Sequence, residues 1–226
     1  MAYYSHIIKS FKEIFLWAWI SNKRLEKRVK IIGIEHLDQA AEKGNGVIML
    51  TGHFGNWEFA PLFFLLKAPQ YINRYYCVRK SLRFAFLDNI FLRRYEKEGC
   101  QVINKKNALR RVCVALKKNG AVIFPFDLRA PSWTKNKLMI NFLGQETSSY
   151  ASLAFLVDKV KPSVVSVSCY RLNNKQHVLE FYPELEWQPH EDKEQELLHN
   201  TQCYNDRLEE MLLANPAQWF WSYRRW

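Results

Sequence analysis

The segment Val47-Ile-Met-Leu-Thr-Gly-His-Phe-Gly-Asn-Trp-Glu58 joins an apolar strand to a helix and places a histidine at the junction. Its first four residues are apolar, two of them are β-branched, and they follow a Gly-Asn-Gly turn, which is typical of a short buried strand. Asn56 is a candidate N-cap, and the apolar residues after it recur at helical spacing. His53 therefore falls in the strand-to-helix turn, at the edge where open α/β sheets bind ligands.

His53 and Glu58 form the first candidate for chemistry. Within one helix, an offset of five positions would set them about 140° apart, so they would not meet as helical neighbours. Gly52 and Gly55 permit a turn that folds the imidazole back toward the carboxylate. Such a pair suits general-base catalysis, in which the carboxylate fixes the histidine tautomer and stabilises the imidazolium. The alternative is a histidine that only caps or packs beside the strand end.

The remaining sequence alternates between short apolar runs and helical periods. Strands are predicted over residues 29–34, 47–50, 74–78, 100–103, 121–126, 138–142, 164–170 and 178–182. Helices are predicted over residues 56–66, 82–97, 108–118, 149–158 and 192–213. This alternation predicts an α/β fold, a single-domain α/β sandwich with a mixed central sheet flanked by helices.

Residues 1–28 are predicted as a separate N-terminal amphipathic helix, and residues 29–226 as the catalytic domain. The N-terminal segment is rich in aromatic, aliphatic and basic residues, which suits a membrane interface. A first helix packed on the domain fits the same pattern. No run reaches the roughly 18 to 20 apolar residues that a membrane span needs.

Composition limits the partners without choosing one. The chain has 226 residues, 48% of them hydrophobic, and a net charge of +11, which predicts attraction to an anionic surface such as nucleic acid, lipid headgroups or an acidic carrier protein. Its five cysteines lack paired metal-ligand spacing and the sequence shows no secretory signal peptide, so we expect reduced thiols, no metal site and no cysteine nucleophile.

Two motifs resemble one family. The stretch Gly52–Glu58, GHFGNWE, is similar to the signature of the lipid A late acyltransferases, a branch of the lysophospholipid acyltransferase superfamily. The C-terminal stretch Pro216–Trp226 is similar to that family's Pro-x-Gln-Trp-x-Trp-x-x-Arg-Arg pattern. Segments between them align in the same order, so the resemblance extends over nearly the whole chain. The family commonly carries a longer hydrophobic N-terminal anchor, and this sequence begins after that point, either natively short or trimmed.

The resemblance implies a set of site residues. His53 and Glu58 would be catalytic, and the substrate-binding residues would be Arg79, Asp127, Arg129, Asn56 and Arg171. Two departures concern the acceptor: Asp127-Leu128-Arg129 stands where the family usually has Asp-Gln-Asp, and Arg79-Lys80 leads to Arg83-Phe84 where the family continues to Asn-Pro.

Basic side chains cluster after the third predicted strand and in the C-terminal tail. Arg79, Lys80, Arg83, Arg93 and Arg94 form the densest basic patch, which would grip phosphate or would be a solvated helix face. Asp127 follows a buried strand and is expected either to help shape the acceptor site, paired with Arg79 or Arg129, or to cap a turn. Arg224 and Arg225 would lie near the site or on the membrane.

The resemblance implies direct acyl transfer without a metal or cofactor. His53 would deprotonate a hydroxyl of a lipid A precursor, and the oxygen would attack a fatty thioester on acyl carrier protein, at the cytoplasmic face of the bacterial inner membrane. Two alternatives stay open: the same chemistry on a lysophospholipid or amino-acid lipid, with acyl-CoA as donor, and a catalytically inactive basic protein that binds membrane or nucleic acid. No nucleic-acid motif is present, so no nucleic-acid partner is expected.

Overall fold

The computed structural model describes residues 2–17, 19–79, 85–104, 107–172 and 176–226. Lys80, Arg83 and Phe84 and the first residues of the helix predicted over 82–97 lie outside these ranges. Among the described residues, no helix is both long and apolar enough to span a membrane.

A mixed sheet forms the centre of the molecule. Within the described ranges its seven strands lie in the order β1-β9-β8-β2-β5-β3-β4, and β8 and β9 form its antiparallel pair. A separate antiparallel hairpin contains β6 and β7. The strands are β1 Val29–Ile32, β2 Val47–Thr51, β3 Tyr75–Arg79, β4 Cys100–Asn104, β5 Ala121–Pro125, β6 Lys137–Phe142, β7 Gln145–Tyr150, β8 Ser163–Arg171 and β9 His177–Glu184.

Helices cover both faces of this sheet, which confirms the predicted α/β sandwich. All five residues of β2 are buried, because a central parallel strand is covered on both sides. The first five helices pack on one face and the last three on the other. The helices are α1 Ala2–Trp17, α2 Asn22–Glu26, α3 Ile34–Glu42, α4 Ala60–Lys67, α5 Ala85–Lys97, α6 Ala108–Lys117, α7 Ser152–Val160 and α8 Lys193–Ala214.

Several elements differ from the predictions. The helix predicted over 56–66 begins at Ala60, because residues 57–59 form a turn and Pro61 fits the first helical turn. The helix α3 was not predicted. The helix predicted from residue 149 begins at Ser152, because residues 145–150 belong to β7. Leu143 and Gly144 both have positive φ and form the two-residue turn that returns the chain into this strand.

The helix α1 buries a largely polar face and exposes an apolar one, which is the reverse of an ordinary amphipathic surface helix. Its inner face, which consists of His6, Ser10, Glu13 and Trp17, is buried against the domain. Its outer face, which we define as Tyr4, Ile8, Phe11, Phe15 and Leu16, is 52–70% exposed. A surface helix usually buries its apolar side chains and exposes its polar ones. In α1 most of the bulky apolar side chains point to solvent, while the buried Trp17 and the partly buried Ile14 anchor its C-terminal half on the core.

Candidate active site

Three neighbouring parallel strands place the candidate residues at one edge of the sheet. β2, β5 and β3 lie side by side. His53 follows the carboxyl end of β2, Asp127 follows that of β5, and Arg79 is the last residue of β3. Thr51 of β2 pairs in register with Pro125 of β5, so both chains leave the sheet at the same height. This register brings His53 and Asp127 together, although 74 positions separate them in the sequence.

Asp127 binds His53 at two points. The backbone N–H of His53 donates to Oδ2 of Asp127 at 2.7 Å, and the His53 Nδ1 lies 2.8 Å from Oδ1. The indole N–H of Trp219 donates to Oδ2 at 2.7 Å. Because a carboxylate can only accept, the proton belongs on Nδ1 and the imidazole keeps Nε2 free as a base. This is the orienting arrangement of a general-base histidine.

The charge state of Asp127 follows from its surroundings. Burial by itself would raise the pKa of this carboxyl, which is only 1% exposed. The charge of His53, the two hydrogen bonds from His53 and the one from Trp219 outweigh burial and hold the pKa of Asp127 below its ordinary value. Asp127 therefore stays ionised at neutral pH and stabilises a protonated imidazole.

Glu58 does not hold the imidazole, which corrects the predicted pairing. Its carboxylate faces Arg79, with 3.7 Å between Oε2 and Nη2, and Arg79 also contacts Asp88 at 2.5 Å. The reason is that α4 begins only at Ala60, so Glu58 is still in the turn, while Asp127 is brought beside His53 by strand register. Burial raises the pKa of Glu58, against the opposing charges of Arg79 and His53. Glu58 lines the same cavity as His53, so its participation in the reaction stays a prediction.

A cavity of about 630 Å³ opens beside His53. Glu58 and Arg79 add charged side chains to its wall. The His53 ring makes edge contacts with Tyr223 at 4.6 Å and with Trp57 at 5.8 Å between centroids. The apolar part of the wall consists of Phe54, Ala60, Pro61, Cys77, Val78 and Ile123. A cavity with one base at a largely apolar wall can hold a hydrocarbon chain while its reacting end meets the imidazole.

A narrow apolar space continues from this cavity between the sheet and α4. It has a volume of about 20 Å³ and shares Thr51, Ala60, Ile123 and Cys169 with the larger cavity. Its far walls include Met49, Phe64, Tyr75, Val167, Leu179 and Phe181. On this side, the residues that line the larger cavity are backed by the buried aromatic side chains Phe64, Tyr75 and Phe181.

The C-terminal tail braces the loop that carries His53. The backbone N–H of Gly55 donates to the carbonyl of Gln218 at 2.8 Å, and that of Phe220 donates to the carbonyl of His53 at 3.0 Å. Gly55 has φ of +54°, and a Cβ there would lie 2.3 Å from the Cys169 carbonyl oxygen. A side chain at position 55 would therefore displace the loop.

The structure does not bring Asn56, Arg171 or Arg129 to this cavity. Asn56 and Arg171, predicted to bind substrate, instead bind Glu13 of α1 in the interior. Arg129 is exposed, and its backbone N–H donates to the carbonyl of Arg224 at 3.4 Å. The placements of Asn56 and Arg171 follow from α1, whose inner polar face could not be assigned from sequence.

The basic patch is also divided. Arg94 donates to the carbonyl of Trp17, the last residue of α1, and to that of Ile20 beyond it at 2.7 Å, so it holds the end of the helix rather than a phosphate. Arg93 is exposed. In the tail, Arg225 is buried over the ring of Phe142 at 4.2 Å, whereas Arg224 is exposed.

Sequence reasoning missed Trp219 and Tyr223 as site residues. A signal was present for Trp219, which is a specified position of the C-terminal pattern that carried the resemblance, whereas Tyr223 occupies an unspecified position of that pattern. Across the described ranges, no three His, Cys, Asp or Glu side chains converge as metal ligands would.

Comparison with known proteins identifies the family. The model of the bacterial lipid A biosynthesis acyltransferase family matches residues 2–226. The chain belongs to this family. It is therefore an acyltransferase, and the predicted family and enzyme class are both confirmed. The alternative of a catalytically inactive binding protein has no support in this membership.

Relatives with curated names are consistent with that assignment. The chain is 23% identical, over 217 residues, to a phosphatidylinositol mannoside acyltransferase of Mycolicibacterium smegmatis, covering 96% of this chain and 68% of that protein. It is 21% identical, over 222 residues, to the protein of the same name from Mycobacterium tuberculosis, covering 96% and 66%. The chain thus spans about two thirds of these relatives. The crystal structure of the 1-acyl-sn-glycerophosphate acyltransferase PlsC from Thermotoga maritima aligns with a TM-score of 0.46 at 12% identity, covering 93% of this chain and 98% of that one.

Proposed function

We propose that this acyltransferase moves a fatty acyl group from a thioester on acyl carrier protein to a hydroxyl of a lipid A precursor or a related glycolipid. The observation that carries the proposal is the His53–Asp127 pair at the wall of a largely apolar cavity. Family membership supports the glycolipid acceptor. The names of the relatives support a glycolipid more broadly, since they act on phosphatidylinositol mannoside.

In the proposed reaction, His53 acts as a general base. The acceptor hydroxyl gives its proton to Nε2, and its oxygen attacks the thioester carbonyl carbon. The tetrahedral intermediate collapses, the C–S bond breaks, and the departing thiolate takes the proton from the imidazolium. Asp127 stabilises the imidazolium between these two transfers.

Arg79 is the proposed electrostatic group at the same cavity. Its guanidinium lies between Glu58 and Asp88, and these neighbours fix its position at the end of β3. A fixed cation or backbone donor that faces the tetrahedral oxyanion lowers the barrier, and removal of one donor typically costs about 10²–10³ in rate. The fatty chain would lie along the apolar wall beneath the imidazole.

The outer face of α1 supports peripheral binding to the cytoplasmic face of the bacterial inner membrane. Five bulky apolar side chains are exposed there, and Lys9 and Lys12 lie on the same helix. Apolar side chains that enter the headgroup boundary, flanked by lysines that meet anionic lipid, form an interfacial anchor. The lipid acceptor resides in the membrane, so an enzyme held at the membrane surface would lie close to this substrate.

A second acceptor class stays a candidate because Leu128 and Arg129 depart from the family pattern. In this alternative the acceptor is a lysophospholipid or amino-acid lipid and the donor is acyl-CoA. The chemistry at His53 would be unchanged, because both reactions move an acyl group from a thioester to a hydroxyl.

The test is transfer of a labelled acyl group from acyl carrier protein and from CoA to a panel of lipid acceptors. We expect transfer to a glycolipid by the wild-type protein, a loss of at least about 10³-fold in His53→Ala, and no change in His190→Ala, which removes an exposed histidine. Transfer only to a lysophospholipid would support the alternative acceptor class instead. Full activity of His53→Ala would exclude the general-base role.

A further inference from the structure

We propose that Glu13 is a positioning residue for acyl transfer: from the inner face of α1 it holds the loop that carries His53. The inference rests on the function proposed above. Glu13 is 8% exposed, and its carboxylate is shared by Asn56 and Arg171, each of which leads back to the catalytic loop.

The first connection passes through Asn56. Its side-chain Nδ2 donates to Oε2 of Glu13 at 3.0 Å. Its backbone carbonyl accepts the N–H groups of Phe59 and Ala60, both at 3.1 Å, and so marks the point where the loop turns into α4. Asn56 follows His53 by three positions. Glu13 therefore fixes the C-terminal end of the loop in which the base stands.

The second connection passes through Arg171, which ends β8. Its guanidinium donates to Glu13 through Nη2 at 2.5 Å and through Nε at 3.2 Å. The backbone N–H and carbonyl of Arg171 bind the side-chain amide of Gln218 at 2.8 and 2.9 Å. The Gln218 carbonyl in turn accepts the N–H of Gly55 at 2.8 Å. Two separate routes thus join one carboxylate to residues on the same loop.

Stability alone does not account for this arrangement. A buried ion pair costs desolvation energy that a well-packed apolar contact would not, so it is a weak source of stability. The helix α1 has apolar side chains available, yet Phe11 and Phe15 point outward while Glu13 and His6 are buried. What the buried charges provide is direction: a carboxylate accepts only from donors in specific places. Two of the groups that contact Glu13, Asn56 and Arg171, lead to the loop, and the third, His177, lies 3.4 Å away.

The effect on rate follows from how closely a general base must be placed. A displacement of about 1 Å in a catalytic group can cost about 10²-fold in turnover. Loosening Asn56 lets the His53 loop move relative to the cavity without changing any group that touches substrate. We therefore expect the loss to fall on kcat and not on KM.

The experiment is a double-mutant cycle with Glu13→Gln and Asn56→Ala, using an acyl thioester and an acceptor in detergent. Asn56→Ala leaves the Glu13–Arg171 ion pair in place, so the fold is kept. We expect each single variant to lower kcat by about 10- to 100-fold with KM within about twofold. The kcat of the double variant should be no lower than that of the less active single variant. Ser10→Ala is the matched control, because Ser10 touches Arg171 and His6 but makes no bond to Asn56.

The outcomes separate this inference from the proposed function. Wild-type kcat in both single variants, or losses that multiply in the double variant, would overturn the positioning role while leaving acyl transfer intact. A rise in KM for Asn56→Ala would also overturn it and return Asn56 to substrate binding. A wild-type protein that transfers no acyl group would refute the proposed function itself, and the positioning role with it.

Discussion

At the scale of single residues, the environment of a carboxylate decides its role. Two carboxylates lie near His53, and both are largely shielded from water. Asp127 receives three hydrogen bonds from the site, two of them from His53, so its charge is directed at the imidazole. Glu58 faces a guanidinium instead. The two side chains have similar chemistry but different tasks, because only Asp127 determines which histidine nitrogen carries the proton.

This difference gives a prediction for Asp127→Asn. An amide that donates to Nδ1 would shift the imidazole proton to Nε2. Nε2 could then no longer take the proton from the substrate hydroxyl. We expect kcat to fall by about 10²- to 10⁴-fold with the fold intact, as checked by circular dichroism. Glu58→Gln is the matched comparison and should lose less. If Glu58→Gln is instead the more damaging change, Glu58 is the orienting carboxylate and Asp127 is not.

At the scale of elements, α1 shows where sequence periodicity stops being informative. Its pattern predicted an amphipathic segment, and the pattern alone could not say which face would be buried. Burial of the polar face depends on Arg171, which is 158 positions away from Glu13 and arrives only when β8 joins the sheet. Similarly, the His53–Asp127 contact depends on strand register. By contrast, β2 and α8 follow from local apolar runs and a local cap: Asp192 accepts the N–H of Glu194 at 2.8 Å.

The outer face of α1 yields the second prediction. Phe11→Ser and Phe15→Ser remove apolar area that would enter a bilayer, and full burial of such a side chain is worth about 1.5–3 kcal/mol. Each change should therefore weaken binding to anionic vesicles by about tenfold or more, as measured by co-sedimentation. Phe155→Ser is the control, because Phe155 is 50% exposed on α7, across the sheet from α1. Equal losses in all three variants, or none in any, would show that α1 is not the binding face.

At the scale of the whole molecule, the sheet acts as a frame that joins three distant parts of the chain. Its carboxyl edge collects His53, Arg79 and Asp127, and strand β8, which runs parallel to β2, delivers Arg171 to the helix at the N-terminus. The tail then closes over this edge through Gln218 and Trp219. The alternation of elements predicted such a frame from the sequence. The cross-links did not follow from it, because they arise from side chains that meet only after the sheet has formed.

The same cross-links predict how stability depends on pH. Burial first, and then the charge of Arg171, lower the pKa of His6 to about 4 from 6.5, and burial likewise lowers the pKa of His177. The unfolded chain therefore binds more protons than the folded one between about pH 6.5 and 4, so stability must fall as the pH falls through this window. Glu13 extends the loss: against burial, bonds from His177 and Arg171 hold its pKa at about 2, below the ordinary 4.5. The contribution of Glu13 to stability is present above pH 4.5 and is lost below it.

Thermal unfolding from pH 7 to 4 should show a steady decline in the unfolding temperature, and His6→Gln should make this decline less steep. An unchanged slope in His6→Gln would mean that the cluster opens before His6 takes up its proton.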